Sequence, residues 1–127
     1  MASQNNTGRQ YDKQHSVTIV ATAAVAAYRF IAYDGGPATS AGGAKDAQGA
    51  TESAAEVGEA VSAITGYSGL VEAGGAIAFG DFVKPAADGS GRAIVGAANE
   101  CCGRALGAAA GAGQIIEVQL LRHVHAA

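Results

Sequence analysis

Short apolar runs alternate with glycine-bearing turns along most of this 127-residue chain, most densely from Gly69 to Leu121. Val17-Thr18-Ile19-Val20-Ala21-Thr22 is rich in β-branched residues and predicts a first strand. Ala23 to Ala27 favours helix by propensity, but five residues do not hold a helix alone, so a loop or single turn is expected. Arg29-Phe30-Ile31-Ala32-Tyr33 predicts a second strand, with Phe30 and Ala32 on one face and Arg29, Ile31 and Tyr33 on the other. Asp34-Gly35-Gly36-Pro37 then reads as a turn.

The small, polar stretch from Ala38 to Gly43 predicts a loop or weak edge strand, and Ala47 to Thr51 another short strand. Glu52 to Glu56 is expected to wind one helical turn, and Gly58 to Thr65 to form a strand ended by Gly66-Tyr67-Ser68-Gly69. One local device recurs: Gly58-Glu59-Ala60-Val61, Gly80-Asp81-Phe82-Val83 and Gly113-Gln114-Ile115-Ile116. In each, glycine takes the positive φ that ends a turn, the polar residue faces water, and two apolar residues begin a strand. An alanine-rich run precedes each copy. The spacing is too uneven for a solenoid and suggests a meander of short strands. The last strand has the clearest register. Ile116, Val118 and Leu120 fall on one face, Glu117 and Gln119 on the other, as in a half-buried antiparallel strand.

The fold expected is therefore mainly β: a small single-domain antiparallel barrel or sandwich-like meander with at most one or two helical turns. Residues 17–127 form that domain. Residues 1–16, polar and aperiodic, are expected as an extended or disordered N-terminal arm. Composition refines the core: hydrophobic residues reach 49% but are largely alanine, aromatics are 6% and Trp is absent, so small aliphatics and a few large anchors must fill it. A net charge of −3 gives no basic footprint for nucleic acid. The longest apolar run is far short of the ~20 residues of a spanning helix. No charged and apolar leader opens the chain, so no signal peptide and no membrane partner are expected, and Asn5-Asn6-Thr7 carries no weight as a glycosylation site.

Candidate chemistry is sparse. His123 and His125 would share a strand face, but zinc needs at least three protein ligands and none lies near them in sequence, so no metal site is expected. Adjacent Cys101 and Cys102 read as small reduced residues, since disulfide geometry disfavours a vicinal pair. A nucleophile pair between one of them and a distant histidine has no flanking motif to support it. Asp81 and Asp88 sit where turn chemistry explains them. No dinucleotide fingerprint, P-loop or nucleophile elbow occurs. The expectation is a protein without catalytic residues or cofactor.

A family resemblance then emerges from the order of weak motifs between about Arg29 and Leu121. They are Gly49-Ala50-Thr51-Glu52, Gly58-Glu59-Ala60-Val61-Ser62, the run Val71 to Val83, Ala87-Asp88-Gly89, Gly103-Arg104-Ala105-Leu106 and Ile116-Glu117-Val118-Gln119-Leu120. Together they resemble the small capsid cement, or head decoration, proteins of tailed bacteriophages. The resemblance implies a mostly β fold and a homotrimer on the outer surface of an expanded icosahedral head. There it would bind the major capsid protein at subunit junctions and resist internal DNA pressure. This chain departs from shorter members in its longer polar arm. Arg9, Tyr11 and Lys13 supply that arm with one aromatic and two cations, and are the candidate capsid contacts. The alternative is a small non-enzymatic β module that binds a ligand such as a carbohydrate. Against it, no aromatic platform is visible: Tyr67 stands alone in its turn, and Tyr28 and Tyr33 lie in or beside a strand. A third possibility is an enzyme using Cys101 or Cys102.

Overall fold

A computed structural model describes residues 15–124, with the side chains of 122–124 left aside. The described chain is mainly β. Its strands are β1 (Ser16–Val20), β2 (Phe30–Ala32), β3 (Ala47–Thr51), β4 (Ala60–Ile64), β5 (Ser68–Glu72), β6 (Phe82–Pro85), β7 (Ala93–Val95), β8 (Cys101–Ala105) and β9 (Ile115–Val124). A short 3₁₀ turn at Gly43–Lys45 is the only helical element among the described residues. The strands form two antiparallel sheets, one in the order β1-β4-β3-β2 and one in the order β5-β9-β8-β6-β7. Past the end of β5, Ala73 bridges Ala93 of β7 in parallel, and the Gly74 N–H donates to the Ala93 carbonyl at 2.7 Å. That bridge draws the far edges of the second sheet together and curls it into a half-barrel.

The main core fills the curl and the space between the sheets. Phe30, Ala32, Ala38, Ala47 and Ala50 on the side of the first sheet meet Val71, Val83, Ala105, Ile116 and Val118 of the second. Alanine dominates one side, as the composition foretells, and it lets the sheets approach closely. At Gly69 a Cβ would stand only 3.1 Å from the Ala50 Cβ. A second cluster, Ala21, Val25, Ile31, Ala55, Val61 and Ala63, covers the opposite face of the first sheet, with Val17 and Ile19 packed against it. Strand alternation sends Phe30 and Ala32 to the first cluster and Ile31 to the second, so a three-residue strand anchors both. Burying Phe30 and Ile31 contributes roughly 1.5–3 kcal/mol each.

Several sequence boundaries shift. β1 stops at Val20 because Thr22 turns away: its N–H and hydroxyl bond the carbonyls of Gly35 and Asp34. The Ala23 to Ala27 stretch is irregular, as expected, and serves as a lid over the second cluster. The helical turn expected at Glu52 to Glu56 does not form. Ala55 instead exchanges both backbone hydrogen bonds with Val25 (2.9 and 3.0 Å), and those bonds pre-empt a helical pattern. Ser68, expected within a strand break, opens β5, and β9 runs on to Val124.

The recurring glycine device is real and carries more than the sequence implied. Gly58, Gly80 and Gly113 have φ of 89, 89 and 97° just before β4, β6 and β9. No atom would obstruct a Cβ at any of the three, so the requirement is purely conformational. The polar residue that follows closes the turn. Glu59 Oε1 accepts the Glu56 N–H (2.8 Å), Asp81 Oδ2 the Ala78 N–H (2.9 Å) and Gln114 Oε1 the Ala110 N–H (2.6 Å).

Candidate functional site

The residues that carried candidate chemistry in the sequence occupy separate places. Cys101 and Cys102 are free thiols in β8, both buried. Burial raises the pKa of each, Cys102 well above the ordinary thiol range, which disfavours the thiolate a nucleophile needs. Among the described residues, no three of His, Cys, Asp and Glu cluster as a metal site. His15 uses its carbonyl to accept the Thr65 and Gly66 N–H groups, while His125 and the His123 side chain lie outside the described residues. Asp88 accepts the Ser90 N–H at 2.9 Å, and its hydrogen bonds with Ser90 lower its pKa. Asp81 and Asp88 are thus turn residues. Arg9, Tyr11 and Lys13, the candidate capsid contacts, lie outside the described residues.

Two polar arrangements were not legible in the sequence. Glu72, at the end of β5, faces two arginines: Arg29 Nη2 at 3.1 Å from Oε1 and Arg92 Nε at 3.0 Å from Oε2. The Arg92 contact has ion-pair distance without hydrogen-bond alignment, and Arg29 Nε is buried with no hydrogen-bond partner among the described residues. Arg29 Nη1 donates to the Ser90 carbonyl at 2.9 Å, so the cluster ties the approach to β2, the strand β5 and the 88–92 loop together. Its partners lie 43 and 20 positions from Glu72, and no local spacing announces them.

The other arrangement centres on Glu117. Expected on the polar face of β9, it is indeed opposite Ile116 and Val118, yet it is fully buried. The Ser68 hydroxyl, also fully buried, donates to Glu117 Oε2 at 2.6 Å. A carboxylate out of water requires strong hydrogen bonding or a counter-charge.

The surface itself offers a sheet margin and several exposed apolar side chains. Among the described residues, β1 is an edge strand of the first sheet and pairs with β4. Ser16, Thr18 and Val20 on it are exposed, and at its end Val20 pairs with Ala60 near the turn that carries exposed Val57. Phe79 occupies the turn position corresponding to Val57 and is 50% exposed, and Tyr33, Val95 and Ile115 are exposed elsewhere. Arg104 stacks over the Phe82 ring at 4.5 Å.

No protein-family model matches this chain, and no curated protein matches it. A solved structure shares its fold: the head fiber gp8.5 N base of bacteriophage phi29. The two align with a TM-score of 0.63 at 20% identity, over 89% of this chain and 98% of that one. At that identity the likeness establishes the fold.

Proposed function

We propose that this chain is a structural protein of a bacteriophage head, displayed on the outer surface of the capsid, where it decorates and reinforces the expanded shell. The observation that carries the reading is the fold shared with a phage head fiber base over nearly the full length of both chains. The order of motifs between Arg29 and Leu121, which resembles capsid cement proteins, supports it independently. The partner in this reading is the major capsid protein, and the protein acts without enzymatic chemistry or cofactor. Many copies on one particle turn weak individual contacts into large reinforcement. The contact surfaces would be β1, the edge strand of the first sheet among the described residues and a place for an added strand, together with Arg9, Tyr11 and Lys13 ahead of it. Self-association into a trimer is part of the proposal.

Co-sedimentation with purified heads tests the reading. The protein is expected to pellet with expanded heads and to leave unexpanded heads largely bare. Binding to neither form would sink the proposal. Sedimentation equilibrium of the free protein reports the trimer separately.

A further inference from the structure

The three glycine turns have a fourth member without glycine, and with it the two sheets become copies of one another. Each turn follows a buried residue (Ala21, Thr51, Ala73 and Ala105) and a second buried residue four positions on (Val25, Ala55, Ile77 and Ala109). Seven positions after the first, the backbone turns left-handed, with φ of 60° at Tyr28, 89° at Gly58 and 89° at Gly80. In the last turn the same feature comes one position later, at Gly113, with φ of 97°.

The backbone bonds match as well. In the first sheet the Ala21 N–H donates to the Glu59 carbonyl (2.9 Å), and the Ala21 carbonyl accepts the Gly58 N–H (2.8 Å). Thr51 bonds Arg29 and Tyr28 in the same manner (2.8 and 3.0 Å). In the second sheet Ala73 bonds Gln114 and Gly113 (2.7 and 2.9 Å), and Ala105 bonds Asp81 and Gly80 (2.8 and 2.9 Å). Val25 with Ala55, and Ile77 with Ala109, close the middle of each pair. Strand order repeats too. With β7 set aside, each sheet places its strands first, fourth, third, second: β1-β4-β3-β2 and β5-β9-β8-β6. The starts of β1 and β2 map onto those of β5 and β6 at the same offset of 52 residues that relates Val25 to Ile77.

One turn breaks the pattern, and the break is compensated. Glu59, Asp81 and Gln114 each follow the left-handed residue and close their own turn with a side-chain oxygen. The equivalent residue of the first turn is Arg29, whose side chain has no acceptor. That turn is closed from across the pair: the Thr51 hydroxyl donates to the Ala26 carbonyl at 2.8 Å and accepts the Arg29 N–H at 3.1 Å. The Arg29 side chain is thereby released to reach Glu72 of the other sheet, while the Tyr28 carbonyl accepts the Glu72 N–H at 2.8 Å. Tyr28 carries backbone strain at this place, because a left-handed conformation crowds the Cβ that glycine lacks.

We infer that the two sheets are tandem copies of one four-stranded unit, and that Tyr28 and Arg29 are positioning residues that lock the copies together at Glu72. The duplication stands whether or not the chain decorates a capsid.

Thermal melting and residue-resolved amide exchange of the full-length chain test it. Tyr28→Gly should melt about 5 °C above Tyr28→Ala, reversing the usual order, because both lose the ring and only glycine takes the left-handed backbone freely. In Arg29→Gln the Glu72 amide should exchange about tenfold faster, while Val25 and Ala55 stay protected. Thr51→Val should lower the melting temperature by about 5 °C, and by much less in the Arg29→Gln background, where the new amide oxygen closes the turn as that of Gln114 does. A Tyr28→Ala protein as stable as Tyr28→Gly overturns the equivalence with the glycine turns. Unchanged Glu72 exchange in Arg29→Gln overturns the lock, and additive losses for Thr51→Val and Arg29→Gln overturn the compensation. Should Arg29→Gln fail to fold, Arg29→Lys, which keeps the charge and loses the guanidinium fork, is read for the same acceleration at Glu72.

Discussion

Glu72 and Glu117 are carboxylates on neighbouring strands of one sheet, on the same side of it, and they are satisfied in different ways. Glu72 stays partly solvated, with its side chain 18% exposed, and gathers two arginines from outside its own sheet. Glu117 is closed to water and takes a short hydrogen bond from a hydroxyl on the adjacent strand. The difference teaches where each charge acts. Glu72 stitches loop to strand at the margin of the sheet, at a dielectric high enough for the pairing to be cheap. Glu117 sits in mid-strand, where a solvated carboxylate would be the simplest outcome, and is buried instead.

Alanine substitution separates the two most sharply. Glu117→Ala should cost about 3 kcal/mol, from the emptied space and the buried Ser68 hydroxyl left without its acceptor. Glu72→Ala should cost about 1–2 kcal/mol, since partial exposure lets water solvate Arg92 while Arg29 stays largely enclosed. Urea unfolding of both variants measures this, and equal losses would erase the distinction. Ionic strength draws it again with a smaller effect. Raising salt from about 0.05 to 0.5 M should shrink the deficit of Glu72→Ala by a few tenths of a kcal/mol and leave that of Glu117→Ala unchanged.

The weakest member of the series is a half-buried carboxylate. Asp34 Oδ2 lies 2.8 Å from Lys45 Nζ, and that hydrogen bond, followed by one from the Gly36 N–H, lowers its pKa from the ordinary 3.8. A folded-state pKa below the unfolded one means the unfolded chain binds more protons at low pH. The contribution is complete above about pH 4 and fades as pH falls through the lowered value. Asp34→Asn should therefore cost about 0.5 kcal/mol at neutral pH and nothing near pH 2. A deficit that persists in acid would assign the loss to something other than charge.

Much of the fold was legible because it depends on neighbours in sequence. The three glycine turns combine a positive φ with a polar residue one step on, and both properties are local. Alternation in β9 and in the second strand put Ile116, Val118 and Phe30 on their correct faces. What failed locally failed for a tertiary reason: Glu52 to Glu56 had the composition of a helical turn, but Val25, thirty positions earlier, captured Ala55. The candidate site was far less legible. Ser68 read as part of a strand break and Glu117 as one of a solvated row, and their bond spans 49 positions.

By itself, then, the sequence determined a β chain of short strands, the positions of its turns and a core of small side chains, because backbone freedom at glycine and strand alternation operate over a few residues. Only the tertiary structure decided that the second sheet curls, that β2 feeds two cores at once, and that one glutamate meets arginines while the other leaves water altogether. Those outcomes depend on which surfaces meet, and a surface is assembled from residues that the chain order keeps far apart.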